Sequence, residues 1–147
     1  PKVLEFNARL GDPEAQAVLP LLDADFLELC LDCARGELKV DRVPARAGAC
    51  VSIVIAAEGY PEAPKPGATI TPEAAEGRDG VMVFHAGTKK GGGRWLAAGG
   101  RVLAVVGLGA DLAAAREHAY SVVPLVAGPG LRWRKDVAAK VLGRTLA

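Results

Sequence analysis

The sequence has very little net charge. Its 18 Lys and Arg residues nearly balance 17 Asp and Glu residues, which leaves a formal charge of +1 over 147 residues. A protein that binds nucleic acid or an anionic membrane through its charge needs a basic excess, which displaces counterions from the phosphates. The balance therefore argues against both kinds of partner.

Long apolar runs and cysteines are also scarce. The longest apolar run, residues 104–112, is interrupted by glycine, and a membrane helix needs roughly 18 apolar residues. Three cysteines do not make the pairing framework of a secreted disulfide scaffold. Half of the residues are hydrophobic, which is enough for a buried core. We therefore expect a cytoplasmic globular protein.

The first segment, up to about Gly36, is predicted to form a strand, a loop and two helices. The strand covers residues 2–7, and the helices cover residues 13–18 and 25–34. Asp12 has the residue type of an N-cap, with a proline in the first helical position after it. These elements are too few to form a core of their own.

The second segment is predicted to be a small antiparallel sheet with one covering helix, so the fold class is α+β. A polar connector at residues 38–47 separates the two, and we place one unit at residues 1–40 and the other at 46–147. The alternation and apolar periodicity of the second unit predict these elements: strands at residues 48–57, 81–84, 94–97, 101–106 and 131–134, a hairpin tip at 89–93, a covering helix at 110–126 and a terminal helix at 137–146.

Cys30 and Cys33 form a C-x-x-C pattern inside a predicted helix. Their spacing places both on its apolar face, where small core residues are expected. A zinc or redox site with Cys50 is the alternative, but the sequence offers no second pair of the usual spacing.

Three polar residues alternate along the predicted first strand. Glu5, Asn7 and Arg9 share one face of an extended chain, and Leu4 and Phe6 occupy the other. A carboxylate, an amide oxygen and a guanidinium on one face suit a magnesium-bound polyphosphate, because hard cations take oxygen ligands and arginine neutralises a transferring phosphoryl group. The alternative is an ordinary polar face of a half-buried strand.

The segment that follows this strand carries a family resemblance. Arg9-Leu10-Gly11-Asp12-Pro13-Glu14-Ala15-Gln16-Ala17 resembles the signature of the phosphoribosylamine–glycine ligase family, and Glu5-Phe6-Asn7 is similar to the metal-binding strand of the ATP-grasp superfamily that includes it. Similar segments recur at residues 59–61, 65–67, 83–89, 99–103 and 134–136, so that the resemblance spans nearly the whole chain. Ala138 departs from the pattern, because the family usually has glycine there.

The resemblance implies an ATP-dependent ligase of purine biosynthesis. Such an enzyme phosphorylates the glycine carboxylate and joins it to the amine of 5-phosphoribosylamine. It implies that Glu5 and Asn7 hold a Mg²⁺ or Mn²⁺ ion on the ATP phosphates and that Arg9 stabilises the transferred phosphoryl group. It also places four turn residues on the substrate side of the site: Gly11, Asp12, Pro13 and Glu14. Arg101 is expected to reach the phosphate of the phosphoribosyl substrate.

The family's N-terminal domain, ATP lid and adenine-binding strands have no counterpart in this sequence. The chain begins at Pro1 with a strand pattern, so we expect the C-terminal portion of such a ligase, inactive alone, whose partners include the missing domains. Two alternatives stay open: another ATP-grasp ligase or carboxylase, and a non-catalytic partner subunit or remnant. His85 could contact substrate, although a capping or core histidine is the more common case for a lone residue of this type.

Overall fold

The computed structural model describes residues 2–3, 6 and 8–143. In the N-terminal segment, helix α1 covers Glu14–Val18, a 3-10 turn covers Leu19–Leu21, and helix α2 covers Phe26–Arg35. The remaining elements are strands β1 Ala49–Ala57, β2 Thr69–Ile70, β3 Val81–His85, β4 Thr88–Gly91, β5 Arg94–Ala97, β6 Arg101–Gly109 and β7 Leu131–Trp133, a 3-10 turn at Pro72–Ala75, and helix α3 Leu112–Val126.

The strands form two antiparallel sheets. The larger has the order β3-β6-β1-β7, and the smaller has the order β2-β5-β4. Strands β1 and β6 pair over almost their whole length, with Ile53 opposite Val105. The predicted α+β class is confirmed. The second sheet went unpredicted because β2 has only two residues, which is too short to leave a pattern.

Helix α3 covers one face of the larger sheet. Every second residue of β1 from Val51 onward is buried, as expected of a strand with one face in the core. Ala119 and Val122 of the helix are fully buried in the same cluster. Gly107 of β6 lets the helix approach, because a Cβ there would lie 2.5 Å from the backbone nitrogen of Ala119. The core therefore lies between α3 and this sheet.

Helix α1 and the turn after it contact the opposite face of the larger sheet. Ala104 and Val106 point to that side and are buried, with 4% and 0% of their surface exposed. Met82 and Phe84 of the edge strand face an apolar cleft beside α1 and stay partly exposed. The N-terminal segment is thus seated on the second unit.

Four sequence predictions outside the turn at residues 9–14 differ from the structure. The described residues of the predicted strand 2–7 (2, 3 and 6) lie in no strand, and a strand requires a pairing neighbour. The described part of the predicted terminal helix, residues 137–143, forms turns. Ala138 there has φ +62°, which a right-handed helix does not allow. Cys30 and Cys33 are exposed, because α2 has no buried residue.

The fourth difference concerns the glycine-rich hairpin. Its tip was predicted at residues 89–93, but Lys89 and Lys90 belong to β4 and pair with β5. The chain turns at Gly92 and Gly93, both of which have positive φ. Glycine adopts this conformation at no steric cost, so the turn forms at these two residues.

Candidate functional site

The turn of the family signature leads into α1. The amide of Ala15 donates to the carbonyl oxygen of Gly11 over 2.9 Å, which closes the turn. Glu14 folds back over Gly11, because a Cβ there would lie 2.9 Å from the Cδ atom of Glu14. Pro13, and not Asp12 as predicted, occupies the N-cap position, and no side chain caps the helix.

The oxygens of Asp12 have partners other than the amides of α1. Its Oδ1 accepts a hydrogen bond from Nε2 of Gln16 over 3.1 Å. Its backbone carbonyl accepts one from Nη1 of Arg101 over 3.0 Å, and Nη2 of the same guanidinium lies 3.0 Å from Oδ2. One arginine of the second unit therefore holds both the backbone and the carboxylate of a turn residue 89 positions earlier.

Arg101 is itself joined to the turn between β3 and β4. Its carbonyl oxygen accepts from the amide of Gly87 over 2.8 Å, and the carbonyl of Gly87 accepts from Ala98 over 2.7 Å. Gly87 also crosses Gly99 so closely that a Cβ on Gly87 would lie 2.7 Å from the Cα of Gly99. The glycine pair before Arg101 thus permits a tight crossing of two backbones.

Gly100 has a packing role at the same end of the sheet. A Cβ on Gly100 would lie 2.8 Å from Cε2 of Tyr60. The segments at residues 59–61, 83–89 and 99–103 therefore meet beside the Asp12 turn. The sequence separates them by tens of residues, and the antiparallel pairing of β1, β3 and β6 brings them together.

His85 makes its described contacts within the protein. Its Nδ1 lies 2.9 Å from Oγ1 of Thr88. Its ring lies on that of Trp95 with centroids 4.4 Å apart, and the ammonium of Lys90 lies 4.8 Å from the centroid of the same indole. These contacts order the β3–β4 turn, although His85 remains exposed.

The predicted phosphate and metal residues lie at the start of the chain. Nη1 of Arg9 donates to the carbonyl of its neighbour Leu10 over 2.9 Å, and Arg9 is exposed. Glu5 and Asn7 lie outside the described residues. Within residues 2–3, 6 and 8–143, no three His, Cys, Asp or Glu side chains come together as a metal site would need.

Gln16 and Gly87 lie in segments that carry the family resemblance, but the sequence assigned neither of them a role in this region. Gln16 had a usable signal, since it follows Asp12 at the i+4 spacing that brings side chains together on a helix. Gly87 had none, because its closeness to Gly99 depends on how the two sheets meet.

A second charged group lies at the end of β1. Oε1 of Glu58 accepts from Arg132 over 2.9 Å, and its Oε2 accepts from Lys65 over 3.2 Å. The hydrogen bond from Arg132, followed by that from Lys65, lowers the pKa of Glu58 below its ordinary value of 4.5. The carboxylate is therefore ionised at neutral pH and ties β7 to the loop after β1.

None of the helices in the described part of the chain is long and apolar enough to cross a membrane.

Comparison with protein families gives a match over residues 50–140 to the model described as "Phosphoribosylglycinamide synthetase, C domain". The phosphoribosylamine–glycine ligase of Caulobacter vibrioides is 45% identical over 144 residues, which cover 97% of this chain and 34% of that protein. The ligase of the same name from Mycobacterium tuberculosis is 44% identical over 142 residues, 95% of this chain and 32% of that protein.

A solved structure gives the same result. The crystal structure of phosphoribosylamine–glycine ligase from Thermotoga maritima superposes with a TM-score of 0.79 at 37% identity, over 92% of this chain and 33% of that one. The chain spans about a third of the length of the relatives that it matches.

Proposed function

The chain belongs to the family of the phosphoribosylglycinamide synthetase C domain, and we propose that it forms the C-terminal part of an ATP-dependent ligase. The proposed reaction joins glycine to 5-phosphoribosylamine and yields glycinamide ribonucleotide, ADP and phosphate. One observation carries the proposal. The similarity to named ligases is not limited to the C domain but covers 97% of the chain, including the turn that Arg101 holds.

The proposed chemistry has two steps. A carboxylate oxygen of glycine attacks the γ-phosphorus of ATP, and the bond to ADP breaks, which gives glycyl phosphate. The amine of 5-phosphoribosylamine then attacks the acyl carbon, the amide forms, phosphate leaves and the amine loses a proton. Positioning and charge neutralisation supply most of the rate enhancement in phosphoryl transfer, so the protein needs cations and a rigid frame near the reacting groups.

Arg9 is assigned to the transferred phosphoryl group. Its guanidinium is exposed and is held only by the neighbouring carbonyl of Leu10 among its described contacts. A permanently charged side chain of this kind can turn to a phosphoryl oxygen at small cost. The turn residues would form the wall on the substrate side: Gly11, Asp12, Pro13 and Glu14.

Glu5 and Asn7 are assigned to the metal. A carboxylate and an amide oxygen form a donor set that Mg²⁺ and Mn²⁺ accept, and the two residue types therefore fit the ion. When bound, the ion would neutralise charge on the ATP phosphates. We further propose that the division into units at residues 1–40 and 46–147 holds, and that the protein works in the cytoplasm.

The test is a chimaeric enzyme in which this chain replaces the matching third of the Caulobacter vibrioides ligase. We expect ADP formation that requires both glycine and 5-phosphoribosylamine, and no turnover by the chain alone. Glu5→Ala should abolish metal-dependent turnover, whereas the matched control Glu117→Ala, an exposed carboxylate on α3, should not alter it.

Three results would contradict the proposal. An inactive but folded chimaera would indicate a non-catalytic remnant. Faster turnover with another acid and amine would indicate a different ATP-grasp ligase. Full activity of the Glu5→Ala chimaera would remove the metal role of that residue.

A further inference from the structure

The guanidinium of Arg101, which stays partly exposed, makes its described contacts with one residue. Nη1 donates to the backbone carbonyl of Asp12 and Nη2 pairs with its carboxylate, each over 3.0 Å. The planar fork of arginine suits two acceptors at once, and this fixes the direction as well as the distance of the contact. A lysine in its place would supply a point charge without that geometry.

The base of the Arg101 side chain is rigid. Arg101 is the first residue of β6 and lies opposite Ala56 of β1, and its carbonyl oxygen accepts a hydrogen bond from the amide of Gly87 over 2.8 Å. The next residue, Val102, is fully buried. The guanidinium therefore extends from a fixed point of the second unit.

Each acceptor of Asp12 has a partner. The carbonyl and Oδ2 face Arg101, and Oδ1 faces Gln16 on the first full turn of α1. The turn cannot rotate without breaking contacts to β6. Gly11 and Glu14, which lie against each other on either side of Asp12, move with it.

We propose that Arg101 is a positioning residue, which holds the Asp12 turn in the geometry that the substrate side of the site requires. This rests on the proposed function. The role expected from the sequence, a direct contact to the substrate phosphate, would require the guanidinium to release Asp12 or to use the N–H groups that Asp12 leaves free. A displacement of a substrate-side wall by about 1 Å can lower the rate about 100-fold, so the contact would act on turnover.

The first experiment uses this chain and needs no activity. Hydrogen exchange is followed by NMR at the amide of Ala15, which donates to Gly11 and closes the turn. Arg101→Ala should speed that exchange about tenfold or more, since the turn opens locally when its outer contacts are lost. Arg132→Ala is the matched control, because it also removes an exposed arginine that pairs with a carboxylate. It should leave Ala15 unchanged. Equal exchange rates at the amide of Ala15 in both variants would show that Arg101 does not hold the Asp12 turn and would overturn the proposal.

The second experiment uses the chimaeric ligase. Arg101→Ala should lower kcat about tenfold or more and leave the KM for 5-phosphoribosylamine within about twofold, as expected when a contact acts on geometry and not on ground-state binding. Arg101→Lys should restore part of kcat. The losses from Arg101→Ala and Asp12→Asn should be non-additive, because both remove the ion pair between the two side chains.

The opposite pattern would overturn the proposal. A tenfold rise in the KM for 5-phosphoribosylamine at unchanged kcat, additive with Asp12→Asn, would make Arg101 a ligand of the substrate phosphate. If the unsubstituted chimaera shows no glycine-dependent ADP formation, only the proposed function is contradicted. The exchange rate at the amide of Ala15 would still decide whether Arg101 holds the Asp12 turn.

Discussion

Gly107→Ala should destabilise the chain by moving α3 away from the sheet. A Cβ on Gly107 would lie 2.5 Å from the backbone nitrogen and 3.0 Å from the Cβ of Ala119, and it would overlap the carbonyl oxygen of Ala115. Both neighbours belong to the helix and are fully buried. No flexible side chain can swing aside, so the helix itself has to shift.

The size of the effect follows from two opposing contributions. Overpacking a core costs about 1–3 kcal/mol, and the upper end applies because helix backbone is the obstacle. Alanine is better than glycine inside a strand by about 0.5–1 kcal/mol. The expected net loss is about 2 kcal/mol. For a chain of this size that corresponds to a Tm lower by roughly 4–8 °C.

Urea unfolding followed by circular dichroism measures this loss. Gly91→Ala is the matched control, since a Cβ there meets only the flexible Cδ1 atom of Leu96 at 3.1 Å. It should change the free energy of unfolding by no more than about 0.5 kcal/mol. A Gly107→Ala variant as stable as the parent chain, or an equal loss in both variants, would refute close packing of α3 on Gly107.

Three smaller perturbations have definite signs. Ala138→Gly should raise the free energy of unfolding by about 0.5 kcal/mol, as measured by thermal unfolding. The positive φ costs alanine about 1 kcal/mol or more, and the greater entropy of glycine in the unfolded chain offsets part of the gain. Arg132 and Lys65 lower the pKa of Glu58, so its stabilising effect is present above pH 4.5 and is lost as the pH falls through the lower folded pKa. The parent chain and the Glu58→Gln variant should therefore approach the same free energy of unfolding in urea titrations at acid pH. Asp25→Ala should cost α2 about 1 kcal/mol, measured by exchange at the two amides that Asp25 caps.

The parts of the fold that could be predicted are those with a local cause. The almost continuous β-prone run at residues 48–57 predicts a buried strand, and the structure has β1 there, with every second residue buried from Val51 onward. Gly36 closely follows the helix predicted at residues 25–34, and it ends α2 with φ +70°, as glycine commonly does. The apolar period of residues 110–126 predicts α3, which the structure begins two residues later because Asp111 caps it by accepting the amide of Ala114.

The parts that failed depend on partners distant in sequence. Asp12 has every local feature of an N-cap, yet its oxygens serve Arg101, 89 residues away. The described residues of the strand predicted at 2–7, which are 2, 3 and 6, lie in no strand, and a strand requires a neighbour that an alternating pattern cannot supply. The terminal helix was predicted through Ala138, whose backbone is set by its contacts with the core. The sequence already shows that Ala138 replaces the glycine usual in the family. The positive φ explains that preference, because glycine adopts this conformation without steric cost.

Three glycines determine where Arg101 begins at the end of the larger sheet. A Cβ on Gly87 would lie 2.7 Å from the Cα of Gly99, and a Cβ on Gly100 would overlap the ring of Tyr60. These close approaches lie directly before β6, and Arg101 projects from the start of that strand to the Asp12 turn. Glycine at positions 87 and 100 therefore allows this placement of the arginine. A substitution at Gly87 should act on the turn through Arg101, although Gly87 itself makes no described contact with Asp12.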